Sequence, residues 1–115
     1  MANKGISNVS DQLHVLRPQG RLDNANSQAF EKEALGVIDG GGRWLVVDMG
    51  SLDYISSAGL RVVITLAKRM RAAGGRLGFC SLKAEVADVF EISGVDTLVE
   101  ILPDMEQATS GAEKG

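Results

Sequence analysis

The order of hydrophobic patterns along this 115-residue chain predicts an α/β domain, a mixed, mostly parallel sheet of four to five strands with about four helices packed on it. Three observations carry that expectation. Short apolar runs of strand type alternate with segments whose apolar residues recur at helical spacing. Glycine or proline marks nearly every change from one pattern to the next. A chain of this length builds one core and does not divide into two ordinary domains. A single domain over residues 1–115 is expected, with 1–5 and 109–115 frayed.

The elements follow in order. Leu13 to Arg17 alternates apolar and polar residues, with Leu13 and Val15 on one face, as in a half-buried strand that Pro18 and Gly20 end or bend. A shorter partner strand is expected around Ile6 to Val9, and this early pair makes the sheet mixed. After Asp23 and Asn24, both good helix-capping types, Phe30, Ala34, Val37 and Ile38 share one helical face. Asp39 to Gly42 stop that helix. Trp44 to Val47 then reads as a central strand covered on both faces, because it is apolar throughout. The next helix places Leu60, Val63, Ile64 and Ala67 inward and Arg61, Thr65 and Lys68 outward, and Gly74 and Gly75 close it. A strand over Arg76 to Cys80, a helix carrying Leu82, Val86, Val89 and Phe90 to Gly94, and a last strand around Leu98 to Leu102 complete the alternation. Pro103 ends that strand, and Asp104 to Ala108 has the makings of a short terminal helix. Right-handed crossovers between such strands lay them side by side.

Composition narrows the function classes. Apolar residues make up 44% of the chain and charged residues 23%, as in ordinary globular proteins, and the formal net charge is -3. A chain that holds nucleic-acid phosphates normally carries a basic excess, so no nucleic-acid partner is expected. No apolar run approaches the roughly 20 residues that span a bilayer, and residues 1–12 lack the apolar stretch of a signal peptide. The expectation is a cytoplasmic protein with no membrane insertion. Cys80, the only cysteine, lies in an apolar strand-like run and reads as packing.

The segment from Asp48 to Arg61 joins a buried strand to a helix. Loops leaving the carboxyl ends of strands in open α/β sheets are where ligands and partners bind. Ser56 and Ser57 sit where the helix begins, and a phosphate there meets unpaired backbone N–H groups and the positive end of the helix dipole. Such a modification adds about -1.5 to -2 charges to a docking surface without unfolding the domain. Spacing alone favours the simpler reading of Ser56 as an N-cap.

Leu52 to Val63, LDYISSAGLRVV, closely resembles the signature of STAS domains in bacterial anti-sigma-factor antagonists, in which an aromatic and an aliphatic residue precede Asp-Ser-Ser/Thr-Gly-Leu. GRLDNANS from Gly20 resembles the family's Gly-x-Leu-Asp segment, and RWLVVDMGSLDYI, AGGRLGFCSL and VADVFEISGVDTLVEIL resemble its other elements, so nearly the whole chain is covered. The resemblance implies a single STAS domain that acts in transcription regulation by partner switching. Unphosphorylated, it binds an anti-sigma factor that is also a serine kinase, freeing the sigma factor. Phosphorylation of Ser57, the serine after the motif aspartate, switches it off, and a PP2C-type phosphatase resets it. Asp23 resembles a family acidic residue used in recognition by the kinase. Around it Asn24, Tyr54, Ser56, Ser57, Ala58, Gly59 and Arg61 are the expected partner-binding positions. Ser56 stands where the family has aspartate, which removes a negative charge beside the acceptor and leaves Ser56 as a rival site. Ala58 replaces the second serine or threonine. The alternative is a STAS module without phosphorylation, a constitutive subunit of a signalling or transport complex.

Other constellations point elsewhere than to catalysis. Gly40 to Gly42 precede a strand and lack a following Gly-Lys-Ser/Thr, so they read as a turn. Ser57 has no Gly-x-Ser-x-Gly setting, and His14, the only histidine, lies in an early strand-like segment, which leaves no hydrolase triad. One histidine and one cysteine make no metal site with recognisable spacing. No enzyme activity, metal or cofactor is expected, and ATP belongs to the kinase. Lys68, Arg69 and Arg71 lie in the last turns of their helix, where cations complement the dipole, with a partner-binding patch as the alternative.

Overall fold

The computed structural model describes residues 13–108. Strand β1 (Leu13–Leu16) leads through Pro18 to β2 (Gly20–Leu22), helix α1 (Ser27–Asp39), β3 (Trp44–Asp48), β4 (Leu52–Ile55) and α2 (Ser57–Ala72). Then come β5 (Arg76–Cys80), α3 (Ala84–Ser93), a 3-10 turn (Val95–Thr97), β6 (Glu100–Leu102) and α4, helical over 105–108. The main sheet has the order β1-β3-β5-β6, and a separate two-stranded sheet pairs β2 with β4.

Every pairing among the described residues is parallel. The antiparallel partner expected around Ile6 to Val9 lies outside those residues. Trp44 to Val47 is the buried inner strand its continuous apolarity predicts, lying between β1 and β5. Two features differ from expectation. Gly20–Leu22 and Leu52–Ile55 are strands, whereas the sequence reads them as a bend and a loop, and the last strand begins at Glu100 because Val95–Thr97 winds into a 3-10 turn.

The sheet separates two apolar layers. Leu45, Val47, Leu77 and Phe79 face the larger one, which takes Phe30, Ala34 and Ile38 from α1, Val63, Leu66 and Met70 from α2, and Val86 and Phe90 from α3. The rings of Phe79 and Phe90 meet edge to face, with centroids 5.5 Å apart. Leu22, Leu52 and Ile55 of the small sheet join the same core, so that sheet is anchored through one face. On the opposite face Trp44, Val46 and Cys80 pack with Ala108 and Met105 of α4. Asp104 starts α4 by accepting the Gln107 N–H at 2.9 Å, the usual reach of an N-cap carboxylate. Helix α3 stops where Gly94 turns left-handed at φ 81°, a conformation that glycine adopts without a Cβ clash.

Candidate functional site

Strands β2 and β4 run in the same direction and end together. Their register sets Leu22 opposite Ile55 and Arg21 opposite Tyr54, with a bulge between Gly20 and Arg21. The ladder continues one step further, where the Ser56 N–H donates to the Leu22 carbonyl at 2.9 Å. The two chain segments that follow, beginning at Asp23 and at Ser56, therefore leave from one rim although they are far apart in sequence.

Ser56 is the N-cap of α2. Its backbone is extended, and its Oγ accepts the Gly59 N–H at 3.2 Å, which satisfies one of the orphan donors of the first turn. Ser57 is the first helical residue; it is exposed, and its hydroxyl has no hydrogen-bond partner among the described residues. Gly59 is buried against the end of β2, where an added Cβ would stand 2.7 Å from the Ile55 side chain and 2.8 Å from the Leu22 carbonyl oxygen. A side chain at this position would push the helix start off the strand pair.

The Asp23 side is a tight turn closed by its own polar groups. Asp23 accepts the Ala25 N–H at 3.0 Å and the Arg21 Nε–H at 3.2 Å, while its own N–H donates to Asn26 Oδ1 at 2.9 Å. Asn26 Nδ2 donates to the Arg21 carbonyl at 2.7 Å. Helix α1 is capped from Asn26, without a side-chain bond to its first turn, and not from Asp23 or Asn24 as the residue types suggest. The carboxylate of Asp23 is used instead to hold the turn before the helix.

Asp23, Asn24, Tyr54, Ser56 and Ser57 line one open cleft of about 500 Å³, together with Arg21 and Ala25. A second cleft of about 390 Å³ between α1 and α2 shares Asn24 and takes Ala58 and Arg61, with Gln28, Glu31 and Thr65. Gly59 lies beneath, as packing. Strand pairing and helix geometry thus bring the expected positions to one rim, divided between two adjoining clefts.

The model of the STAS-domain family matches residues 5–108. The chain belongs to this family. A curated relative, BtrV of Bordetella bronchiseptica, is named as an anti-sigma factor antagonist and is 45% identical over 100 residues, covering 87% of this chain and 86% of its own. Among solved structures, one from Thermotoga maritima, also named as an anti-sigma factor antagonist, superposes with a TM-score of 0.81 at 21% identity over 86% of both chains. The anti-sigma factor antagonist SpoIIAA in its unphosphorylated form superposes with a TM-score of 0.71 at 20% identity, over 83% of this chain and 84% of that one. At these identities the structures share the STAS fold.

Within this STAS domain the rim is electrostatically mixed. The Arg21 guanidinium beside Asp23 and then the Ala25 N–H hold the carboxyl below the usual carboxylate range, so it is ionised at neutral pH. Arg21 also stacks on Tyr54, with its Cζ 4.5 Å from the ring centroid. Tyr54 is 44% exposed, a large aromatic surface held open beside the serines. Arg21 is the rim residue that the sequence reading passed over. Its signal was available, since alternation along a strand puts Arg21 and Asp23 on one face.

No group of three or more His, Cys, Asp or Glu side chains is placed to hold a metal ion among the described residues. No helix of the described residues is long and apolar enough to cross a membrane. Burial pushes the Cys80 thiol up, so it stays protonated at neutral pH.

Proposed function

We propose that this chain is an anti-sigma factor antagonist that binds an anti-sigma factor with serine-kinase activity while unmodified and is switched off by phosphorylation of Ser57. The general role is supported by the 45% identical relative, which covers most of both chains. The observation that favours Ser57 over Ser56 is the contrast between their hydroxyls. Ser56 Oγ is half-buried and occupied as an N-cap, whereas Ser57 is exposed and unbonded on the open rim.

In the transfer, the γ-phosphoryl group of ATP passes to Ser57 Oγ. A P–O bond forms as the bond to the β–γ bridging oxygen breaks, ADP leaves, and the hydroxyl proton goes to a base on the kinase. The product sits on the first turn of α2, where backbone N–H groups and the dipole accommodate negative charge. At the same time the added charge and bulk occupy the surface where the partner docks, which disfavours binding by repulsion and desolvation. A PP2C-type phosphatase restores the hydroxyl by hydrolysis. Asp23, fixed and ionised across the cleft, is the element the kinase reads along with Tyr54 and Arg61.

The test is incubation with the cognate kinase and ATP, read by intact mass and phosphopeptide mapping. One phosphate at Ser57, lost in Ser57→Ala, is the expected result. Ser57→Glu should keep native stability and bind the kinase more weakly than Ser57→Ala. Mapping to Ser56 overturns the residue assignment, and equal binding by both variants with no phosphate transferred favours a constitutive interaction module.

A further inference from the structure

Two arginines flank Ser57 from different elements. Arg21 reaches into the Ser57 cleft from β2, and Arg61 follows Ser57 by four residues on α2, the spacing at which helix side chains are neighbours. We propose that these two guanidinium groups form a clamp that holds the phosphate of phosphoserine 57 on the protein's own surface. This inference rests on the reading of Ser57 as the modified residue, and it concerns what the chain does with the phosphate once it is there.

The charges around the serine set up an exchange of partners. Arg21 is paired with Asp23 at 3.2 Å, with both groups partly exposed. A surface ion pair of this kind is weak, so a stronger acceptor can displace it. A phosphate carries about -1.5 to -2 charges and three acceptor oxygens, and it matches the guanidinium fork better than one carboxylate oxygen does. Stacking on Tyr54 keeps the Arg21 guanidinium on the rim throughout, so it need only turn toward the cleft it already lines. Arg61 makes no ion pair among the described residues and is exposed, which leaves it ready to take a phosphate oxygen one turn away. Glu31 lines the same groove as Arg61, so its carboxylate is the negative charge that opposes a phosphate on that side.

Each member of the site contributes something distinct. Ser56 supplies no charge where the family motif has an aspartate, so no carboxylate from that position opposes the phosphate. Asp23 loses its guanidinium partner when Arg21 turns, which changes the face offered to the kinase as well as the serine itself. The off state is then a rearranged charge pattern spanning β2 and α2, and it extends beyond the modified residue.

The experiment uses the full chain with phosphoserine placed genetically at position 57, so that it does not depend on any kinase. The second ionisation of the phosphate is followed by phosphorus NMR in the folded protein and in urea. In the folded protein it should lie below the unfolded value, which is about 6. Arg21→Gln and Arg61→Gln should each raise it, and together they should remove most of the shift, a change of about one unit, leaving what the helix N-terminus contributes. Arg21→Lys and Arg61→Lys, which keep the charge, should retain part of it and serve where a glutamine variant does not fold. A titration that none of these substitutions moves overturns the clamp, as does one that answers to a single arginine only. Loss of the folded state in the phosphoserine protein overturns it as well. Separately, failure of the cognate kinase to modify the wild-type chain defeats the switch reading and leaves the clamp measurement standing.

Discussion

At the residue scale, the site depends on one position that has no side chain and one hydroxyl that is already occupied. Gly59→Ala forces a Cβ against the Leu22 carbonyl and the Ile55 side chain. Overpacking of this kind costs about 1–3 kcal/mol, measurable as a lower urea midpoint, and kinase recognition should fall with it. Ser56→Ala removes the bond to the Gly59 N–H and should cost about 1 kcal/mol while leaving Ser57 open to modification. A loss of phosphate incorporation in folded Ser56→Ala would instead point to Ser56 as acceptor. Ser81, directly after β5, is the only non-glycine residue with positive φ among the described residues, at 61°. Ser81→Gly relieves left-handed strain of about 1–2 kcal/mol and loses part of that gain to the freer unfolded chain. A net gain of up to about 1 kcal/mol should appear in chemical denaturation, whereas Ser81→Val should destabilise.

At the element scale, what was legible followed from how strongly each segment's burial is imposed on its residue types. Trp44 to Val47 and Arg76 to Cys80 show as strands because inner strands of a parallel sheet are apolar with little interruption. The three long helices show through their one-sided spacing. The short strands did not show. Gly20–Leu22 holds a single buried residue, and Leu52–Ile55 is buried at its two ends and exposed at its two centre positions, since the bulge breaks strict alternation. Ser57, Asp23 and Tyr54 were named from the family resemblance and the Arg21–Asp23 pair follows from their spacing, but the stacking of Arg21 on Tyr54 depends on the pairing of β2 with β4, which no local pattern announces. One edge pairing lends itself to a pH measurement. Arg76 holds Glu100 of β6 through two hydrogen bonds of 2.9 and 2.8 Å and stacks on Trp44, with 4.1 Å from its Cζ to the ring centroid. That hydrogen-bonded guanidinium keeps the Glu100 carboxyl below its ordinary range. The carboxyl therefore adds stability above its unfolded pKa, and this is lost as pH falls through the lower folded value. Glu100→Gln should flatten the stability profile below about pH 4.3 and leave its shape at neutral pH unchanged; because the pair is half-exposed, the effect is small.

At the scale of the whole molecule, one continuous core takes in side chains of both sheets, so the small sheet that carries the rim is anchored to the rest of the domain. Cys80 is fully buried on the opposite face of the large sheet, beneath α4, and reports on how firmly that smaller layer is held. Its thiol should resist aromatic disulfide reagents in the native protein and react at the rate of global opening, with a denaturant dependence that tracks unfolding. Fast labelling under native conditions would mean that α4 and the sheet separate independently. The parallel pairing of Gly20–Leu22 with Leu52–Ile55 has a further consequence for how the serine is found. A synthetic peptide copying residues 52–63 would carry both serines and none of their setting, since Arg21 and the Leu22 carbonyl that aligns Ser56 come from the other strand and Asp23 from the turn that follows it. An enzyme that reads this rim reads a conformational epitope, and it should ignore the same letters presented in a loose chain.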